Sequence, residues 1–281
     1  MKINRISSFI IVFSVYALAT AIGVWVYLAL SLAPWLRLLI ADCVATVLTF
    51  VFSVIFRNAS VYDPYWSVQP IVITFAFLST NAIILPKILI CAVIAFWGAR
   101  LTANWAYTFH GLEHQDWRYT SLKEKTGKLY PLINFFGIHL VPTLIVYACT
   151  LPAVYVLQSD ATFAPLSIVG LSISFLAVLL QGVADIQMHK YRKNRATPFI
   201  RTGVWKYSRH PNYLAEICMW WGVGIFAVCT LGFAWYYLLG ALLNTLLFVF
   251  VSIPLADGRQ SKKDGFAEYK KQTRMLLPIR K

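Results

Sequence analysis

The sequence predicts an all-α fold, a polytopic transmembrane helical bundle of seven to eight spans. Three observations carry this. Of 281 residues, 59% are hydrophobic and only 13% charged, outside the range of ordinary soluble domains. Apolar runs of about 20 residues recur along the chain, each long enough for a hydrocarbon core of about 30 Å. Lys and Arg are gathered into a few segments between those runs.

The runs fall near 7–30, 35–56, 66–84, 87–108, 130–157 and 163–185, and the stretch from Ile217 to Leu255 holds two more crossings with a break at Thr230-Leu231-Gly232. Eight crossings is the first count. Seven is the alternative, because the closely spaced pair 66–84 and 87–108, or the final hairpin, could be re-entrant. The first run follows Lys2 and Arg5 but is longer than the 7–15 apolar residues of a secretory signal, so it reads as a retained helix. No repeat or long linker divides the chain. Residues 1–60 read as N-terminal transmembrane helices and 61–281 as a membrane domain with polar loops and a basic tail.

The net charge of +14 could suggest nucleic acid, but its distribution does not. Nineteen of the 25 Lys and Arg lie in 109–128, 186–212 and 257–281, which the positive-inside rule makes cytoplasmic. Eight spans with both termini cytoplasmic satisfy this and put the 57–65 loop on the same face. The reading is an integral multi-pass protein of a bacterial inner membrane or endoplasmic reticulum, with its active site toward the cytoplasm and the lipid bilayer as its surroundings. Cys43, Cys91, Cys149, Cys218 and Cys229 all lie in apolar runs without CxxC spacing, and the histidines form no HExxH. Neither disulfides nor a metal site is expected. Rossmann and P-loop motifs are likewise missing from the sequence.

The densest polar stretch runs from Arg201 to Glu216 and enters an apolar span directly. Polar groups near hydrocarbon lose hydration, so something must compensate them. Pro211 suits a first helical turn, and Asn212 and Glu216, four apart, share a face beside Tyr213. Upstream, Asp185, His189 and Arg192 share a face if the sixth span continues as helix, offering charge and hydrogen bonds to a phosphate-bearing cofactor. Arg259 follows the last span, just after Asp257. Arg100 and Asn104 are four apart near the end of the fourth span. Asp116-Trp117-Arg118-Tyr119 mixes both charges with aromatics. Asp63 sits among Tyr62, Tyr65 and Trp66, where an acid beside a phenol can orient a proton donor. Asp42 is the acid well inside an early span, and His139 reads as an interior histidine.

Thr202 through Glu216, with Asp185, Ile253-Pro254-Leu255-Ala256-Asp257-Gly258-Arg259-Gln260, Tyr269-Lys270 and Leu277-Pro278, resembles the steroid 5-alpha-reductase superfamily, in its bacterial-type branch classed as a domain of unknown function. The Asp116–Tyr119 segment also looks like that branch, and the likeness covers roughly residues 60–281. It implies an NADPH-dependent reductase that saturates a polarised C=C bond of a lipophilic substrate such as a 3-oxo-4-ene steroid. By position, Asp185, Arg192, Asn212 and Glu216 match cofactor-contacting residues, and Arg209, His210, Tyr213 and Arg259 follow the branch pattern. Arg100 and Arg118 are added as cofactor-binding. Asp63 falls about where the reductases keep a catalytic Glu. The catalytic Tyr position holds Trp97, so another phenol is needed: Tyr62, Tyr65, Tyr107 or Tyr119, with Tyr65 and Tyr119 taken forward.

Two other classes share features with this sequence. Isoprenylcysteine carboxyl methyltransferases have an Arg-His-Pro-x-Tyr motif and use S-adenosylmethionine, but Asn212 and Glu216 look like the reductase side. A non-catalytic sterol- or lipid-binding membrane protein is the other alternative. A transporter fits poorly, because the polar residues cluster on one face instead of crossing the midplane.

Overall fold

A computed structural model describes residues 4–278. Lys2 and the last two basic residues of the tail lie outside that range. Among the described residues every extended regular element is helical, and seven helical stretches are long and apolar enough to cross a membrane. These include α1 (Arg5–Ala29), α2 (Pro34–Ile55) and α4 (Leu85–Thr108). The run at 66–84 is the exception. Its helix, α3 (Tyr65–Ser79), has 15 residues and spans about 22 Å at 1.5 Å per residue, short of a full hydrocarbon core. Thr80 Oγ1 and Asn81 Nδ2 both donate to the Phe77 carbonyl and end the helix there. Seven therefore counts the long spans, and α3 is a short additional leg.

Two compact units divide the chain. The first comprises residues up to Ala76 with Trp97–Leu151. Asn4 caps α1 by accepting from the Ser7 amide at 2.8 Å, and Pro34 opens α2 where its missing N–H is harmless. The start of α1 is tied to the end of α4, with Arg5 donating to the Ala106 carbonyl at 2.9 Å and the Leu112 amide donating to Ser8 Oγ at 3.1 Å. The loop after α2 joins the same end. Asn58 Nδ2 donates to the Leu112 and His114 carbonyls at 2.6 and 3.2 Å, and the Asp116 amide donates to Ser60 Oγ at 2.9 Å. These bonds gather residues 57–64 and 106–116 at one end of the unit. Helices α3 and α4 approach closely because Gly98 lacks a side chain; a Cβ there would lie 2.6 Å from the Ser67 carbonyl. Then follow α5 (Trp117–Thr126), a π-helical stretch Ile133–Leu140, and α6 (Val141–Gln158).

The second unit comprises Phe77–Phe96 and the chain from Pro152 onward. Its core is the pair α7 (Ser167–Lys193) and α8 (Pro211–Leu231). Small residues set their separation, as is common where lipid provides no drive to associate. A Cβ on Gly170 would meet the Gly222 carbonyl at 2.6 Å, a Cβ on Gly222 would meet the Gly170 carbonyl at 2.6 Å, and Ser174 Oγ donates to the Met219 carbonyl at 2.9 Å. After α8 come α9 (Tyr236–Leu247), a π-helical stretch Phe248–Ser252, α10 (Ile253–Gln260) and α11 (Phe266–Gln272). Replacing Gly222 by Val forces α7 and α8 apart at backbone atoms that cannot rotate away. We expect a loss of about 1–3 kcal/mol, read as a lower unfolding temperature in detergent, whereas the same change at Gly182, which has open space, should leave it nearly unchanged.

Candidate functional site

In the first unit the polar end carries a carboxylate and a phenol in direct contact. Asn58 accepts from the Ser60 amide at 2.8 Å and starts a 3₁₀ turn, Ala59–Tyr62, that delivers Asp63. Asp116 caps α5 by accepting from the Arg118 amide at 2.8 Å, which puts Tyr119 in the first turn. Tyr119 then donates to Asp63 Oδ1 at 2.6 Å. Arg118 holds Asp116 with Nε at 2.8 Å and Nη2 at 3.2 Å, while the same Nη2 is 4.0 Å from Asp63 Oδ1. Burial pushes the Asp63 carboxyl up to about 6, against the lowering pull of Arg118 and the Tyr119 bond. Such a carboxyl changes its protonation state near neutral pH while in contact with a phenol.

The other phenols are placed differently. Tyr65, expected near Asp63, instead donates to Asp42 Oδ1 at 2.8 Å. Tyr62 shares a hydrogen bond with Thr143 at 2.8 Å, and Tyr107 is exposed. Trp97 is wholly buried and Arg100 half-buried on α4.

In the second unit α7 stays helical through Lys193, so Asp185, His189 and Arg192 follow at i, i+4 and i+7, as expected. Arg192 is exposed at the helix end. At the start of α8, Arg209 and His210 converge on one acid that sequence reasoning named without giving it a role. Arg209 Nη2 donates to Asp257 Oδ2 at 2.9 Å, Arg209 Nη1 donates to the Thr273 carbonyl at 2.6 Å, and His210 Nε2 meets Asp257 Oδ1 at 2.9 Å. The Arg209 amide adds a bond to the Arg274 carbonyl at 3.0 Å, and Tyr269 donates to the Trp205 carbonyl. The Arg-His-Pro segment is thus clasped to α10 and the tail. His210 also stacks flat on Tyr213, centroids 5.2 Å apart.

Asn212 and Tyr213 are half-buried in the first turn of α8, and Glu216 is buried one turn on. Both Glu216 oxygens accept neutral donors: Gln181 Nε2 at 2.5 Å and Trp220 Nε1 at 2.9 Å. Gln181 went unremarked in the sequence, being an amide within an apolar run. Its Oε1 is buried with no hydrogen-bond partner among the described residues. Arg259 is exposed on α10, and Lys263 senses both Arg259 and Arg195 as neighbouring positive charge.

A family model described as a protein of unknown function, DUF1295, matches residues 49–273. The chain belongs to the DUF1295 family. It is also similar to an uncharacterized protein of Schizosaccharomyces pombe, 26% identical over 193 residues, which is 58% of this chain and 56% of the relative. The chain thus spans about half the length of the curated relative it matches. No solved structure matches it significantly. The match contains the Asp63–Tyr119 contact and the Arg209–Asp257 clasp and ends where the tail meets Arg209.

Removing one side of the clasp exposes its worth. Asp257→Ala leaves a buried guanidinium without its carboxylate, for which about 3–5 kcal/mol is the expected loss. Limited proteolysis after Asp257 should accelerate with it. Unchanged cleavage would mean that the clasp does not hold the tail.

Proposed function

We propose that this membrane protein is an NADPH-dependent reductase that saturates a polarised C=C bond of a lipophilic, steroid-like 3-oxo-4-ene substrate. The observation that carries the reading is the Tyr119–Asp63 contact at 2.6 Å, since it provides the phenol held by a carboxylate that Trp97 cannot provide. Trp97 is wholly buried, and an indole N–H is a poor proton source.

The residues of the second unit suit the chemistry of a phosphate-bearing dinucleotide. Arg192, Arg195, Arg259 and Lys263 are cations suited to phosphates, the Asn212 amide can both donate and accept, and the unpartnered Gln181 Oε1 beside Glu216 can accept an N–H. When bound, NADPH would supply the hydride. The positive-inside rule directs the basic segments to the cytoplasm, where such a cofactor is found.

The chain's own part is to polarise the substrate carbonyl. With Asp63 protonated, its O–H donates into the Tyr119 oxygen and frees the phenol proton for the substrate oxygen. With Asp63 ionised, the carboxylate holds that proton instead. Arg118, 4.0 Å from Asp63, limits how far burial can raise the carboxyl. In low-dielectric surroundings the phenol then stabilises the charge that develops on the oxygen.

Two measurements test this. NADPH should raise the unfolding temperature of the purified full chain while S-adenosylmethionine does not; Arg259→Ala and Asn212→Ala should weaken the effect and Asp42→Asn should not. The opposite preference would favour a methyltransferase. Turnover of an enone steroid should fall as pH rises through about 6, because the protonated Asp63 is the active form. Asp63→Leu, which has no donor, should flatten that profile and lower kcat about 10²–10⁴-fold, with NADPH affinity unchanged.

A further inference from the structure

The first unit holds a second polar cluster, built on Asp42, Gln69 and His139, that the proposed reaction does not use. Asp42 lies inside span α2 and is buried. Its carboxylate accepts from Tyr65 at 2.8 Å and from Gln69 Nε2 at 2.7 Å, both supplied by α3, one turn apart. Tyr65 stacks on Tyr62, centroids 5.3 Å apart, and the Tyr62 ring lies 4.7 Å from that of His139. His139 is wholly buried on the π-helical stretch, a geometry found disproportionately at functional sites.

The cluster has more acceptors than donors. The nitrogen end of the Gln69 amide faces Asp42 and the oxygen end is left over; among the described residues Gln69 Oε1 is buried with no hydrogen-bond partner. His139 Nδ1 meets the Asn134 carbonyl at 2.9 Å, so Nδ1 carries the ring proton and Nε2 is a bare acceptor, also buried without a partner among the described residues. In a spanning segment such acceptors call for a donor from within the protein or from a ligand. Both are neutral, which suits an O–H better than an ammonium.

We propose that this cluster is a binding site for the hydroxyl end of a lipid alcohol, whose O–H is donated to Gln69 Oε1 or His139 Nε2 while its apolar body lies among the spans of the first unit. The site is independent of NADPH and of the Asp63–Tyr119 pair, so its test stands whether or not the reductase reading does.

The experiment uses the purified full chain in detergent with four probes: octadecan-1-ol, a sterol 3β-ol, and the methyl ether of each. At least one alcohol should raise the unfolding temperature by several degrees more than its ether. The double variant Gln69→Leu with His139→Phe, which fills the same space without acceptors, should lose that difference and be no less stable when ligand-free. Equal shifts for alcohol and ether, no shift with any probe, or a larger shift with octadecan-1-amine would overturn the proposal; no shift would leave water as the donor. If the double variant does not fold, a diazirine-bearing alcohol of the responding skeleton decides the matter on the unmodified chain. Labelling should fall within residues 62–69 or 134–143 and be displaced by the alcohol but not the ether. Labelling confined elsewhere would reject the site.

Discussion

A polar group on a spanning helix cannot rely on water, and the arrangement of this chain follows from that constraint. Each embedded acid is met by donors from another part of the chain. Asp42 takes Tyr65 and Gln69, Glu216 takes Gln181 and Trp220, and Asp257 takes Arg209 and His210. Except for Trp220, a turn away from Glu216 on α8, these partners come from other helices or loops, so the polar groups fix which elements meet. Apolar packing then sets how closely they meet, at Gly98 in one unit and at Gly170 and Gly222 in the other.

Much of this is legible in the sequence where the interaction is local. Hydropathy locates the long spans, and Pro211 marks the start of α8. The four-residue spacing of Tyr65 and Gln69 places both on one face of α3. Other features are not local. Tyr119 reaches Asp63 across 56 residues and Arg209 reaches Asp257 across 48, distances over which periodicity carries no information. The length of α3 also escapes hydropathy, because Thr80 and Asn81 end the helix by hydrogen bonding while the apolar character continues through Ile84.

The Arg209-His210-Pro211 segment has a structural role. Arg209 and His210 looked like ligand-facing groups, yet both are engaged by Asp257 and, for Arg209, by the tail carbonyl of Thr273. A bidentate guanidinium held in this way is a fixture of the fold as much as a charge for a ligand. Arg192 and Arg259, by contrast, are exposed on α7 and α10.

The two carboxylate–phenol contacts of the first unit differ in what surrounds the acid. Asp42 meets only neutral donors, inside a span. Asp63 has a guanidinium 4.0 Å away and sits at the loop end of the unit. That charge, screened by water around the exposed guanidinium, offsets part of the desolvation that burial imposes. The balance leaves the Asp63 carboxyl near 6, where both protonation states are populated at working pH. Asp42 lacks such a counterweight, and its contacts with Tyr65 and Gln69 tie α2 to α3 inside the unit.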